Sequence, residues 1–306
     1  MNSGMIAQIC LDCFSRPADA VSRCAAGQGN YVYQLETGGA KYIVRCSGEA
    51  GAYDQTVRWL EKLAAVGVPV PVVLRRGVFR GYDYIVLSYL EGEDLGAVYA
   101  DLSAEDKRAI AKEVVRIQEQ AGTLRPEALE PDWSWRGFVD EMLGRAGERI
   151  EKNGYFDPEK ADRLQEESRR LEGYFSGVRP AVYLDDISTK NLLIRHGRVS
   201  GVIDVDWIGI GDRLTYAALT NMALLNMEYE TDYVQYLLEE MGISETERTA
   251  FLFYTLMYCV DFMGERGTRF MDKVVEVNPQ VIARLNRIYD TLWKEWTEKT
   301  GTGDRL

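Results

Sequence analysis

An apolar run, Ala181–Leu184, delivers two adjacent aspartates, Asp185 and Asp186. Four residues separate Asp186 from Asn191, and a second apolar run, Leu192–Ile194, follows. Thirteen residues beyond Asn191 lies Asp204, in Val202-Ile203-Asp204-Val205-Asp206-Trp207. A hairpin through Gly197 folds the two halves together. The segment thus offers a loop Asp, a loop Asn and a strand-end Asp within about twenty residues, each at the edge of apolar strand, where a site explains them better than chance turns do. A carboxylate and an amide are hard oxygen donors that suit Mg²⁺, which keeps room for waters and phosphate oxygens. A further carboxylate with no metal duty can orient and deprotonate a substrate hydroxyl. That division of labour is what phosphoryl transfer requires.

Other chemistry is excluded or weak. The only histidine, His196, sits in Ile194-Arg195-His196-Gly197-Arg198, which reads as a solvated hairpin turn, so His-rich metal sites are ruled out. The cysteines number five, an odd count that suits a reducing, cytoplasmic setting. Cys10 and Cys13 form a lone C-x-x-C on an apolar helix face, without the second pair that zinc needs.

The elements that must position the candidate residues are legible from periodicity. Residues 4–24 read as one amphipathic helix. Tyr31, Tyr33 and Leu35 alternate, Glu36-Thr37-Gly38-Gly39 is a turn, and Lys41–Cys46 is a second strand. Apolar positions at helical spacing predict a helix over 52–66, closed by Gly67-Val68-Pro69-Val70-Pro71. Strands over 72–79 and 82–89 follow, joined at Arg80-Gly81. Glu91-Gly92-Glu93-Asp94 reads as a hinge. Beyond it the pattern predicts helices over 103–122, 133–152, 158–176, 214–228, 231–241, 244–264 and 278–298, interrupted by β structure over 181–206. The expected fold is α+β and two-lobed: an antiparallel sheet with a helix over residues 1–92, and a mostly helical lobe over 93–306.

Composition fits that reading. The chain has 306 residues, 46% of them hydrophobic and 27% charged, with a net charge of −12. A basic nucleic-acid groove is therefore not expected. The most apolar run, Ala250–Val260, is too short to span a bilayer and reads as a buried helix. Residues 1–95 hold 9 Lys/Arg and 10 Asp/Glu, leaving 27 and 38 to the remainder, net −11. An acidic second lobe favours an amine-bearing partner molecule over a phosphate-bearing one, although solvated helix faces account for much of it.

D-x-x-x-x-N followed by I-D resembles the catalytic-loop and metal-loop pair of kinase-like folds, and Ile208-Gly209-Ile210-Gly211-Asp212 makes the pattern similar to that of the aminoglycoside phosphotransferase family. That family commonly reads H-G-D-x-x-x-x-N, then I-D with G-x-G-D downstream. Gly27-Gln28-Gly29-Asn30 resembles its phosphate-side loop, Tyr42-Ile43-Val44-Arg45 its third strand, and Gly67–Pro71 its helix-to-strand connection. The resemblance covers residues 24–215. It implies a two-lobed kinase fold and transfer of a γ-phosphoryl group from ATP or GTP, with Mg²⁺, to a hydroxyl of a small molecule. An aminoglycoside-like antibiotic is the family's signature acceptor, with resistance as the consequence, and amino alcohols, amino sugars and macrolides are the other acceptor classes on this scaffold.

Carried over by position, Asp186 is the expected catalytic base, and Asn191 and Asp204 the expected Mg²⁺ ligands. Arg45 stands where a Lys or Arg faces the donor phosphates, Gly27 and Gly29 lie on the phosphate loop, and Ser88, Tyr89 and Leu90 line the base. Asp185, Glu228, Glu230 and Asp261 are candidates for holding ammonium groups. The departures are specific. Leu184 and Asp185 replace the histidine and glycine before Asp186. Asp185 adds a second carboxylate that raises a pKa or offers oxygen to a metal. Thr56 stands where the helix acid that pairs with the third-strand cation is expected, and Asp54 is the nearest carboxylate upstream. Arg213 replaces a proline. These departures motivate a second reading, a nucleotide-binding regulatory pseudokinase. A protein kinase is disfavoured, because no Ala-Pro-Glu-anchored activation segment follows Asp204.

Overall fold

The computed structural model describes residues 2–24, 31–127, 129, 131–270 and 273–301. The chain runs α1 (Ser3–Phe14), β1 (Ala20–Arg23), β2 (Tyr31–Thr37), β3 (Ala40–Ser47), α2 (Asp54–Ala65), β4 (Val73–Phe79) and β5 (Tyr82–Ser88). These five strands form one antiparallel sheet in the order β1-β2-β3-β5-β4. Residues 4–24 are therefore not one helix. Pro17 has no N–H to donate and disfavours helical geometry at the residue before it, so α1 ends at Phe14, with Ser15 left-handed at φ 54°, and the chain turns into β1.

The two-residue side-chain period of a strand sorts the sheet's faces. Tyr33, Leu35, Val44, Cys46 and Val86 pack with Ile6, Ile9 and Cys10 of α1 in a core of their own. The intervening residues, Ile43 and Arg45 among them, turn to the other face, where a cleft lies between this sheet and the rest of the chain. Cys10 is buried in that outer core and Cys13 Sγ lies 3.6 Å from the Tyr84 hydroxyl, so the C-x-x-C pair is packing.

Within the segment Glu91-Gly92-Glu93-Asp94, the last two residues form a short strand, β6 (Glu93–Asp94), which pairs antiparallel with Leu193–Ile194. α3 (Leu95–Val98), α4 (Ala104–Gly122), α5 (Trp135–Asn153), α6 (Glu159–Glu167) and α7 (Glu172–Phe175) follow. Then come β7 (Ala181–Leu184), β8 (Leu192–Arg195), β9 (Arg198–Val202), β10 (Ile208–Gly211), α8 (Leu214–Asn226), α9 (Asp232–Met241), α10 (Glu245–Glu265), β11 (Arg269–Phe270), β12 (Lys273–Val274) and α11 (Pro279–Thr300). The sequence reading missed β10, whose two glycines are poor strand formers. It pairs with β7 in the register Ile208↔Leu184.

α10 is the axis of the large lobe. Ser244 and Glu247 close a capping box at its start, and Ala250–Val260 is buried throughout against α5, α8 and α11. One apolar cluster runs from Trp59, Leu60 and Leu63 of α2 through this lobe. The lobes are also stitched by the backbone, with the Val202 N–H donating to the Pro69 carbonyl at 2.8 Å. No helix among the described residues is long and apolar enough to cross a membrane.

Candidate active site

The loop between β7 and β8 carries Asp185, Asp186 and Asn191, and three outside groups hold its backbone. Gln118 of α4, buried, clamps Leu184 at both ends: its Oε1 accepts from the Leu184 N–H at 2.9 Å and its Nε2 donates to the Leu184 carbonyl at 2.8 Å. The Gly96 N–H donates to the Thr189 carbonyl at 2.7 Å, and Asp94 Oδ1 accepts from the Asn191 N–H at 2.9 Å. Sequence reasoning named neither Gln118 nor Asp94 as a support, because both are brought in from distant segments.

Asn191 is left-handed at φ 63°, a conformation that Asn tolerates better than most residues, and its Nδ2 donates to Asp186 Oδ2 at 2.9 Å and to the Asp186 carbonyl at 3.1 Å. The amide thereby fixes the carboxylate and leaves its own Oδ1 to another partner. The Asn191 carbonyl accepts from the Ile203 N–H at 2.9 Å, which sets Asp204 beside it. Asp204 is also left-handed, at φ 58°. Strain of this kind at two adjacent polar residues persists only where surrounding structure enforces it.

From the small lobe, Arg45 of β3 reaches across the cleft. Its guanidinium donates through both terminal nitrogens to Asp206, with Nη1 3.2 Å from Oδ1, and it lies 3.5 Å from Asp204 Oδ1. Thr56 Oγ1 of α2 donates to the same Asp206 at 2.7 Å. A cavity of about 330 Å³ opens here. Val32, Ile43 and Arg45 line it above, Ser88, Tyr89 and Leu90 at the end of β5 and just after it, and Leu193, Asn191, Ile203 and Asp204 below. The structure thus brings Arg45, Ser88, Tyr89, Leu90, Asn191 and Asp204 to one cavity, with Asp186 bonded at its end. A larger groove of about 780 Å³ lies elsewhere, among Glu119, Tyr174, Arg179 and Arg213, and is lined by none of the described candidate site residues.

Electrostatics separates the four acids. Burial, then the charge of Asp186, pushes the Asp185 carboxyl up to about 6. Asp186 is raised by burial, against the opposing pull of Lys190 and Asn191. Asp204 is raised by burial despite Arg45, with Asp206 and Asp186 adding to the rise. Asp206 alone is lowered: burial opposes ionisation, and Arg45 and Thr56 overcome it.

The family model of the APH phosphotransferase enzymes matches residues 20–250. This chain belongs to that family. As an APH-family member it is a phosphotransferase, and its fold is shared with solved small-molecule kinases. The ternary complex of a thermostable mutant of aminoglycoside phosphotransferase APH(4)-Ia with AMP-PNP and hygromycin B is similar at 16% identity and TM-score 0.67, over 94% of this chain and 98% of that one. A putative fructosamine-3-kinase from Haemophilus somnus is similar at 13% identity and TM-score 0.62, over 94% and 96%. An aminoglycoside-3'-phosphotransferase of type VIII is similar at 23% identity and TM-score 0.54, over 84% and 99%. At these identities the likeness is one of fold.

Seen as an APH-family chain, the departures at Leu184 and at the helix acid have structural answers. The histidine position is Leu184, buried, and Gln118 holds the loop backbone there. Asp54 does not serve Arg45, because it pairs with Arg76 on β4. Gly209 and Gly211 are explained by rings: a Cβ at Gly209 would lie 2.1 Å from the Tyr183 ring, and one at Gly211 2.1 Å from Trp135. Asp212 accepts from the hydroxyls of Tyr174 at 2.6 Å and Tyr254 at 2.9 Å and from the Leu214 N–H at 3.0 Å.

Two of the proposed ammonium-binding acids have cations of the chain beside them. Asp261 pairs with Arg149, and Glu228 lies 3.5 Å from both Arg284 and Arg287. The Glu230 carbonyl accepts from the Tyr99 hydroxyl. Asp185 stays at the loop, and Glu265, which sequence reasoning did not name, is raised by burial and feels the charge of Lys190. Gly27 and Gly29 lie outside the described residues.

Proposed function

We propose that this protein transfers the γ-phosphoryl group of ATP or GTP to a hydroxyl of a small, amine-bearing molecule. The observation that carries the reading is the meeting of Arg45, Asn191 and Asp204 at one cavity, with Asp186 hydrogen-bonded to Asn191 beside it. The purine lies between Ile43 and Leu193 along Ser88–Leu90. Arg45 faces the donor phosphates. Asp186, one oxygen held by Asn191, uses the other to orient the acceptor hydroxyl and take its proton.

Asn191 Oδ1 and the Asp204 carboxylate supply hard oxygen donors on the phosphate side. The described residues contain no cluster of three or more His, Cys, Asp or Glu that could hold a metal. Two protein donors still fit Mg²⁺, which takes the rest of its shell from phosphates and water. When bound there, Mg²⁺ neutralises charge on the transferring group.

An amine-bearing acceptor is supported by the acids on the loop. Asp185 and Asp186 stand side by side there, and no cation among the described residues forms an ion pair with Asp185. The kinases that share the fold are named for aminoglycosides and fructosamine, both amine-bearing sugars. Resistance follows if the acceptor is an antibiotic.

A turnover screen with Mg-ATP and Mg-GTP over aminoglycosides, amino alcohols, amino sugars and neutral macrolides tests the reading. An amine-bearing acceptor is expected to give the best kcat/KM. That value should fall as salt rises, since exposed attraction is screened over ~10 Å at about 0.1 M. A neutral best acceptor without salt dependence removes the amine. Nucleotide binding with no turnover on any acceptor favours the regulatory reading.

A further inference from the structure

In the kinase-like pattern the third-strand cation is held by an acid on the small-lobe helix, and this chain has Thr56 there. We propose that Asp206, two residues beyond Asp204, is the positioning acid for Arg45 and does from the large lobe what a helix acid would do from the small one. The inference rests on the reading of the cleft as a nucleotide site.

Three observations converge on it. The Arg45 guanidinium meets the Asp206 carboxylate with both terminal nitrogens, the fork-to-fork arrangement that fixes a guanidinium's plane as well as its position. Thr56, at the vacated helix position, donates to the same carboxylate, so the helix still contributes, with a hydroxyl that helps hold the acid. The ring of Tyr53, just ahead of α2, lies 5.5 Å from the guanidinium and closes its remaining side. Asp54, the alternative acid, is engaged by Arg76. An arginine suits this site where a lysine would not: its planar fork can keep two bonds on Asp206 while an edge remains 3.5 Å from Asp204.

The geometry has a mechanical consequence. β3 and α2 belong to the small lobe and Asp206 to the large one, so the clamp spans the cleft. Arg45 and Asp204 are set by one short segment, and the cation that faces the donor phosphates is positioned with the metal-side carboxylate. In a helix-acid arrangement those two depend on different elements.

Calorimetric titration with AMP-PNP, with and without Mg²⁺, tests this on the full chain as wild type, Asp206→Asn, Asp206→Ala and the double variant Asp206→Ala with Thr56→Glu. Melting temperatures establish that each variant is folded. Both single variants are expected to bind AMP-PNP more weakly by on the order of ten-fold, in the presence and in the absence of Mg²⁺, because a charge-assisted fork is lost. Thr56→Glu is expected to recover most of that loss, since it returns an acid to the helix position and fills the space Asp206 leaves. A purely structural Asp206 would give lower melting temperatures with no recovery of binding by Thr56→Glu. The inference is overturned if the single variants lose affinity only when Mg²⁺ is present, which makes Asp206 a metal ligand. It is also overturned if they bind as wild type does, or if the folded double variant binds no better than Asp206→Ala. A wild-type protein that binds no AMP-PNP overturns the nucleotide reading itself, a separate result.

Discussion

Asp206 and Asp212 stand six residues apart on one short segment, yet they are held in opposite ways. Asp206 lies at the cleft, takes both arms of a guanidinium from the other lobe, and is driven toward its charged form. Asp212 is buried behind β10, accepts from two tyrosine hydroxyls and a backbone N–H, and is raised by burial that those bonds only partly offset. A carboxylate facing a cleft between lobes needs a cation to fix its place and serves the chemistry. A carboxylate wrapped in neutral donors costs ionisation energy and returns architecture: it joins α7, α8 and α10 beneath the strand that backs the loop. The same residue type in one motif therefore does two jobs, and its partners tell which.

The largest effects should come from the cleft side and leave stability alone. Asp186→Asn is expected to lower kcat by about 10²–10⁴ while AMP-PNP affinity stays near wild type, because a positioned base acts in the transition state. Asp204→Ala should abolish turnover and also weaken Mg²⁺-dependent nucleotide binding. Steady-state kinetics beside calorimetry checks both. Equal losses of binding in the two variants would misplace the base and blur the contrast.

The Asp212 side should behave in reverse. Asp212→Ala strands two buried tyrosine hydroxyls, each costing about 1–3 kcal/mol, so destabilisation of roughly 2–6 kcal/mol is expected in urea unfolding. The folded fraction should bind AMP-PNP as wild type does. A variant that unfolds normally but loses nucleotide would make Asp212 a site residue after all.

The smallest effect sharpens the comparison with an acid between the two extremes. Asp185 has its carboxyl pushed from the usual 3.8 to about 6 by burial and by Asp186. For an acid raised in the folded state, the proton is bound more tightly there than in the unfolded chain. Its stabilising share is full below about pH 4 and is lost as pH rises through about 6. Asp185→Asn should therefore be more stable than wild type at pH 7, by at most about 3 kcal/mol, with the difference vanishing near pH 4. Melting curves across that range check the sign. If the acceptor carries an amine, the same variant should raise its KM.

Much of the fold was legible because it is periodic. The alternation of Tyr31, Tyr33 and Leu35 marked sheet, and the apolar face of 52–66 marked a helix. The candidate loop was legible because Asp186, Asn191 and Asp204 lie close in sequence, so their spacing carries the pattern. Errors fell where local rules conflict. Pro17 ends a helix whose composition looked continuous, and β10 is a strand of alternate glycines that exists because Tyr183 and Trp135 need their space. The pairing of Glu93–Asp94 with β8 was not legible, because a two-residue stretch carries no period.

The sequence by itself determined which groups are available for the chemistry and in what order the chain presents them. Local spacing and side-chain type do that without help from distant residues. Only the tertiary structure decided which groups hold them. Gln118 lies 66 residues from the Leu184 backbone it clamps, and Arg45 161 residues from Asp206. Such partnerships depend on how two lobes are brought face to face, and a hydrogen bond between distant segments imposes no period or spacing that a single sequence could display.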